Sequence, residues 1–149
     1  MHNLSGLLLK YSLLFLAFLL LSSFSFSGNQ YSIIERDNKK GLINEKGDVI
    51  IPAEHEDLGW SKGPSIVIDN AIGYKKDGKW GLLNTKNQKL IAPEYLDLYP
   101  LKDNSLICSR KYFGDILHQY GLINTKGKLL IEFKYDLLEE NNGRLIART

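Results

Sequence analysis

Short apolar runs recur along the chain from Tyr31 onward, in register with one another. Leu42-Ile43, Leu82-Leu83 and Leu122-Ile123 each pass through an asparagine into a polar turn. A second apolar run follows at Val49-Ile50-Ile51, Leu90-Ile91 and Leu129-Leu130-Ile131. Two short strands joined by a tight loop fit this pattern. One place in that loop holds Gly47, Asn87 and Gly127, residue types that tolerate the positive φ closing a type I turn. Pro52 and Pro93 are expected to stop the second strand, because proline has no amide proton for a ladder. No stretch beyond residue 27 sustains a 3.6-residue apolar period, so an all-β body is expected there.

The runs belong to an internal duplication. GLINEKGDVII (Gly41 to Ile51), GLLNTKNQKLI (Gly81 to Ile91) and GLINTKGKLLI (Gly121 to Ile131) align without gaps, and the third matches each of the others at 7 of 11 positions. Ordinary composition would give roughly one match in fifteen. A period of about 40 residues belongs to solenoids and propeller blades, whose units bury apolar surface against their neighbours. The repeats fall at about 31–70, 71–110 and 111–149. Lead-in strands are expected before each hairpin, at Tyr31 to Glu35, Ile72 to Lys76 and Leu106 to Arg110, with a fourth at Leu145 to Arg148. Each should pair with the unit before it.

Between repeats, Trp60 to Pro64, Pro100 to Asn104 and Glu139 to Gly143 read as loops. An insertion at 111–119, containing Gly114-Asp115, lengthens the approach to the third hairpin as a protruding loop or hairpin. Known propeller rings take about four to eight blades, so three units imply either one compact rotor-like or solenoid body or a ring completed by two chains. The monomer is the expectation.

Lys79-Trp80-Gly81-Leu82-Leu83-Asn84, followed by Ile91-Ala92-Pro93-Glu94-Tyr95 and Asp97, resembles the WG repeat family, whose units read roughly G-K-W-G-L-I-D, turn, V-I-P-P-x-Y-D. The likeness spans about Tyr31 to Thr149. It departs where Lys40 and Tyr120 replace the tryptophan, and where asparagine takes the usual aspartate's place. The resemblance implies an all-β repeat array of the kind found in bacterial proteins, with Gly41, Trp80, Gly81, Tyr120, Gly121, Asp57 and Asp97 as repeat-defining structural residues. It implies no reaction.

The first 27 residues differ from the rest. Lys10, an apolar core from Tyr11 to Leu21 and the small-x-small exit Ser25-Phe26-Ser27 describe a secretory signal peptide forming an apolar helix, cleaved before Gly28. An uncleaved membrane anchor is the alternative, but a span needs ~20 apolar residues and Lys10 interrupts the run. Export to the periplasm or extracellular space is therefore expected, with 28–149 as the repeat domain. A formal charge of +2 from 19 basic and 17 acidic residues, scattered along the chain, gives no concentrated basic patch for nucleic acid.

Candidate chemistry is sparse. Cys108 is the only cysteine, and after Leu106 and Ile107 in a lead-in strand it reads as a small core residue rather than a nucleophile. His55 stands where the middle copy carries Tyr95, and His118 stands just before the third copy's Gln119-Tyr120-Gly121, so both are read as scaffold positions. Asp57 and Asp97, with Glu54 and Glu94 three residues before, could do acid–base work or bind calcium. Recurrence once per unit instead suggests a turn-forming aspartate capping local amides. Gly78 and Gly81 flank Lys79-Trp80, but a phosphate loop would need a helix after them.

Aromatic residues are the best material for recognition. Trp60, Tyr99, Tyr112 and Phe113 lie outside the repeated core and could contact a sugar or a protein partner if exposed; ordinary edge packing is the alternative. The resulting expectation is an exported, non-catalytic binding or scaffold module without cofactor or metal, contacting protein or cell-envelope polysaccharide. The alternative is a secreted inhibitor or immunity-type protein acting through the 111–119 insertion.

Overall fold

The computed structural model describes residues 30–113 and 117–149. Residues 1–27, read above as an export signal, lie outside the described residues. The described chain is all strand and turn. The strands are β1 (Tyr31–Arg36), β2 (Lys39–Asn44), β3 (Val49–His55), β4 (Asp57–Gly59), β5 (Ala71–Lys76), β6 (Lys79–Asn84), β7 (Lys89–Tyr95), β8 (Asp97–Pro100), β9 (Leu106–Phe113), β10 (Leu117–Ile123), β11 (Leu129–Tyr135), β12 (Leu137–Asn141) and β13 (Arg144–Arg148).

They form four antiparallel sheets, β1-β2-β3, β4-β5-β6-β7, β8-β9-β10-β11 and β12-β13. Three of the four lead-in strands pair with a short strand that ends the preceding unit, β5 with β4, β9 with β8 and β13 with β12, while β1 pairs with β2. The link from one sheet to the next is a single residue, Glu56, Leu96 or Asp136. Its amide donates to a carbonyl of the next lead-in strand, Lys75, Ser109 or Arg148. An almost unbroken extended run thus leaves one sheet and enters the next.

Each hairpin turn is held by its asparagine. Asn84 Oδ1 accepts the amides of Lys86 and Gln88 at 3.0 and 2.9 Å, and Asn44 and Asn124 do the same in their own copies. Gly47, Asn87 and Gly127 close the turns at φ 85°, 58° and 82°. A second set of turns carries two successive positive-φ residues, Asp37-Asn38, Asp77-Gly78 and Asn142-Gly143. Two such residues make the type I′ geometry that matches strand twist.

Proline does not stop the second strand. β3 runs through Pro52 and β7 through Pro93. Between the pairs Trp80↔Tyr95 and Leu82↔Ile91, β6 advances two residues and β7 four, and β2-β3 and β10-β11 repeat that irregularity. Proline sits in the bulge, where no ladder bond requires its missing proton. Two of the expected loops are also partly strand: Glu139–Asn141 belong to β12, and Pro100 ends β8.

The bulge explains the glycine. A Cβ on Gly81 would lie 2.7 Å from the Ile91 carbonyl oxygen and 2.9 Å from the Pro93 nitrogen. On Gly41 it would lie 2.7 Å from both the Ile51 carbonyl oxygen and the Ala53 nitrogen. Most of the obstruction is backbone, which cannot rotate aside; at Gly81 the Tyr74 ring also lies 2.7 Å away.

Three cores lie between consecutive sheets. Leu42, Ile51, Leu58, Ile72, Tyr74 and Leu83 fill the first junction. Trp60, Trp80, Leu82, Leu98, Leu106 and Ile123 are among those filling the second, and Ile107, Leu122 and Leu138 fill the third. Alternate residues of one strand serve opposite junctions: Leu82 and Leu83 in β6, Ile107 and Cys108 in β9. The two middle sheets are therefore buried on both faces, as a stacked repeat requires.

Gly81→Ala is expected to destabilise the protein by about 3 kcal/mol or more through overpacking against backbone. Gly78→Ala, at φ 73° with open space around the added carbon, should cost only about 1–2 kcal/mol of left-handed strain. Urea unfolding of both variants checks the order; a milder Gly81 variant would contradict the bulge explanation.

Candidate functional site

The repeat-defining residues serve the junctions. Trp80 is buried in the second core, and Lys40, in the same place one unit earlier, instead extends to Asp57 with Nζ 2.8 Å from Oδ1. That hydrogen bond, with the attraction of the same carboxylate, raises the Lys40 pKa above its usual value. Tyr120, the third occupant, is half-buried at the edge of the third core.

Asp57 and Asp97 each begin a short strand. Asp57 Oδ1 also accepts the amide of Leu58, whereas Asp97 Oδ2 accepts the Ser109 hydroxyl at 3.2 Å. The residue after or near them does the anchoring. Leu58, Leu98 and Leu138, spaced by 40, turn from β4, β8 and β12 into the three cores and are 5%, 0% and 0% exposed. Their spacing in the sequence was the available signal.

Of the four aromatic candidates, Trp60 is a core residue and Tyr99 a half-buried one. Trp60 is 8% exposed, packed in the second core, and its ring lies with that of Trp80 over the Cα of Gly73. The chain directly after it is tied down: the Ser61 amide donates to the Leu98 carbonyl, and the Ser61 hydroxyl accepts the Leu98 amide at 3.0 Å. Tyr99 is half-buried between two cores, with the Lys62 ammonium 4.6 Å from its ring centre. Burial pushes its pKa up to about 12. Tyr112 and Phe113 end β9, and the insertion extends the β9-β10 pairing as far as Phe113↔Leu117; Gly114 and Asp115 lie outside the described residues.

Cys108 is completely buried, its thiol directed at the Gly121 carbonyl oxygen at 3.6 Å. Burial, followed by the nearby Glu94 charge, pushes its pKa up to about 12, which keeps it a neutral thiol at ordinary pH. Among the described residues no group of three acidic, histidine or cysteine side chains is placed to hold a metal.

A concavity opens at the first junction. It has a volume of about 410 Å³ and is lined by Lys39, Glu54, His55, Glu56, Tyr74, Lys75, Lys76, Asp77 and Lys89. His55, at the end of β3, is buried with its ring edge-on to Tyr74 at 5.1 Å between centroids. Its Nε2 has no hydrogen-bond partner in the protein and stands 3.9 Å from Glu54 Oε1. Burial lowers the His55 pKa below 6.5; the Glu54 carboxylate opposes this and Lys89 and Lys39 reinforce it. Glu56 accepts the amides of Gly78 and Asp77, which hold its pKa below the ordinary carboxylate value.

Stacked antiparallel sheets generated by a forty-residue unit define a β-sheet repeat protein. The family model described as WG containing repeat matches residues 41–80, 80–108 and 120–148, and the chain belongs to that family. A search among curated proteins and one among solved structures each found no match.

Because the folded state resists protonating His55 while the unfolded chain accepts a proton near pH 6.5, this residue's contribution to stability is full above pH 6.5. It is lost as the pH falls below that value. The melting temperature is expected to drop between pH 7 and 5.5, and His55→Phe should remove most of that drop. Parallel pH dependence in both proteins would contradict the assignment.

Proposed function

We propose that this protein is an exported, non-catalytic binding or scaffold module that contacts a protein or a cell-envelope polysaccharide. The observation that supports it is a division of labour within the repeat. The residues that recur in every unit, Gly81 and Leu98 with their counterparts, are spent on the bulge and the junctions. The residues that vary between units, such as His55 against Tyr95 and Lys89 against Leu129, include part of the lining of a solvent-open cleft. A scaffold whose invariant parts are structural and whose variable parts line an open cleft suits recognition better than turnover, because catalysis needs groups matched in pKa and held within reach of one another.

A second reading, inhibition of a protein partner, draws on the third unit. β9 and β10 continue beyond the pair Arg110↔Gln119, the place where β5 and β6 end in the two-residue turn Asp77-Gly78. That longer hairpin is an element the other units lack, and elements carried on a rigid sheet are common contact sites.

The two readings separate in one experiment. A variant with residues 111–118 replaced by Asn-Gly keeps the antiparallel pairing and should melt within a few degrees of the parent. Under the first reading it sediments with purified envelope polysaccharide as well as the parent does. A stoichiometric protein partner captured by the parent and lost by the variant, with no retention of the parent on polysaccharide, would overturn that reading in favour of inhibition.

A further inference from the structure

We propose that the cleft at the first junction binds an anionic ligand carrying two or more carboxylate or phosphate groups, which supplies a ligand chemistry for the binding reading above. Four lysines surround it, from three strands of two sheets: Lys39 opens β2, Lys75 and Lys76 close β5, and Lys89 opens β7. Ion pairing uses none of the four: among the described residues the salt bridges are Lys40 with Asp57, His55 with Glu54 and Lys102 with Glu140. Lys75 has an aromatic neighbour instead, its ammonium 5.9 Å from the Trp80 ring centre.

Glu54, Glu56 and Asp77 also line the cleft, so the four lysines leave it a formal net charge of +1. Glu56 is committed to the turn between β5 and β6, with its oxygens 2.7 and 3.1 Å from the amides of Asp77 and Gly78. Glu54 stands beside His55, whose buried Nε2 has no protein partner. Clustered cations held near one another repel, and an anion placed between them relieves that repulsion while gaining charge-assisted hydrogen bonds. The volume, about 410 Å³, lies within the range of small-ligand sites, roughly 300–1,000 Å³.

Comparison with the second junction shows that the fold does not require this lining. Strand pairing puts Lys79, Tyr95, Leu96, Cys108, Ser109, Arg110 and Leu129 where the first junction has Lys39, His55, Glu56, Tyr74, Lys75, Lys76 and Lys89. There Tyr95 stacks on Phe133, with ring centroids 5.8 Å apart and an interplanar angle of 16°. The Arg110 guanidinium lies 4.2 Å from the centre of the same Phe133 ring. Aromatic packing closes that position and occupies its cation. In the first junction the smaller His55 and the lysines keep the equivalent place open and basic, so the charge is a property of this cleft rather than of the repeat.

The test is NMR titration of the purified protein with trigalacturonate as a carboxylate probe, pyrophosphate as a phosphate probe and maltotriose as a neutral control. The expected result is saturable shifts at His55, Lys75, Lys76 and Lys89 with at least one acidic probe and none with maltotriose. Binding should weaken at least tenfold in Lys39→Gln/Lys89→Gln, and fall with rising salt as screening predicts. Which probe binds distinguishes a carboxylate from a phosphate source. Absence of saturable binding to both acidic probes, or equal affinity in the double variant, would overturn the proposal. Undiminished retention of the double variant on envelope polysaccharide would also overturn the assignment to this cleft, while leaving the binding-module reading intact.

Discussion

A thin sheet of short strands has two faces, and in this protein neither face of a middle sheet can be left in water. Ile72 and Tyr74 of β5 point into the first core while Ala71 of the same strand points into the second. Burying a side chain of this size contributes roughly 1.5–3 kcal/mol, against a backbone ordering cost of about 1–2 kcal/mol per residue. One sheet covered on a single side would hardly offset that cost, which is why the unit recurs and the units stack. The other recurrent features follow from this requirement: the bulge that brings the second strand across the glycine, the single-residue link that carries the chain into the next sheet, and the leucine that secures each short strand.

Much of that plan was legible in the residues. The forty-residue period, the three hairpins, the four lead-in strands and the positive-φ place at Gly47, Asn87 and Gly127 could all be read from pattern and turn chemistry. The short strands β4, β8 and β12 were not, because three to five residues are too few to show alternation. Pro52 and Pro93 were misjudged since proline's meaning in a strand depends on whether a partner demands its amide. A bulge, which removes that demand, depends on the pairing of distant residues. Trp60 followed the same course: beside Ser61, Lys62 and Gly63 it has the local company of a loop residue, and only the missing side chain of Gly73 shows where its ring can lie.

The candidate site was harder to read than the fold, for a related reason. His55 could be identified as the counterpart of Tyr95, and that substitution marked it as scaffold. Its meaning changes once the same cleft is seen to gather Lys39, Lys75, Lys76 and Lys89 from strands well separated in sequence. Internal repetition makes such differences interpretable. Each unit is a control for the next, so a side chain that departs from its counterparts without a packing reason points toward contact with something outside the chain.

Native-state hydrogen exchange tests the stacking account most directly, since it reports the opening free energy of each strand separately. Amides of β5, β6, β9 and β10, in sheets covered on both sides, should exchange most slowly and at nearly a common rate, with those of β1, β2, β12 and β13 faster. Equal protection across all four sheets, or slowest exchange in an end sheet, would contradict it.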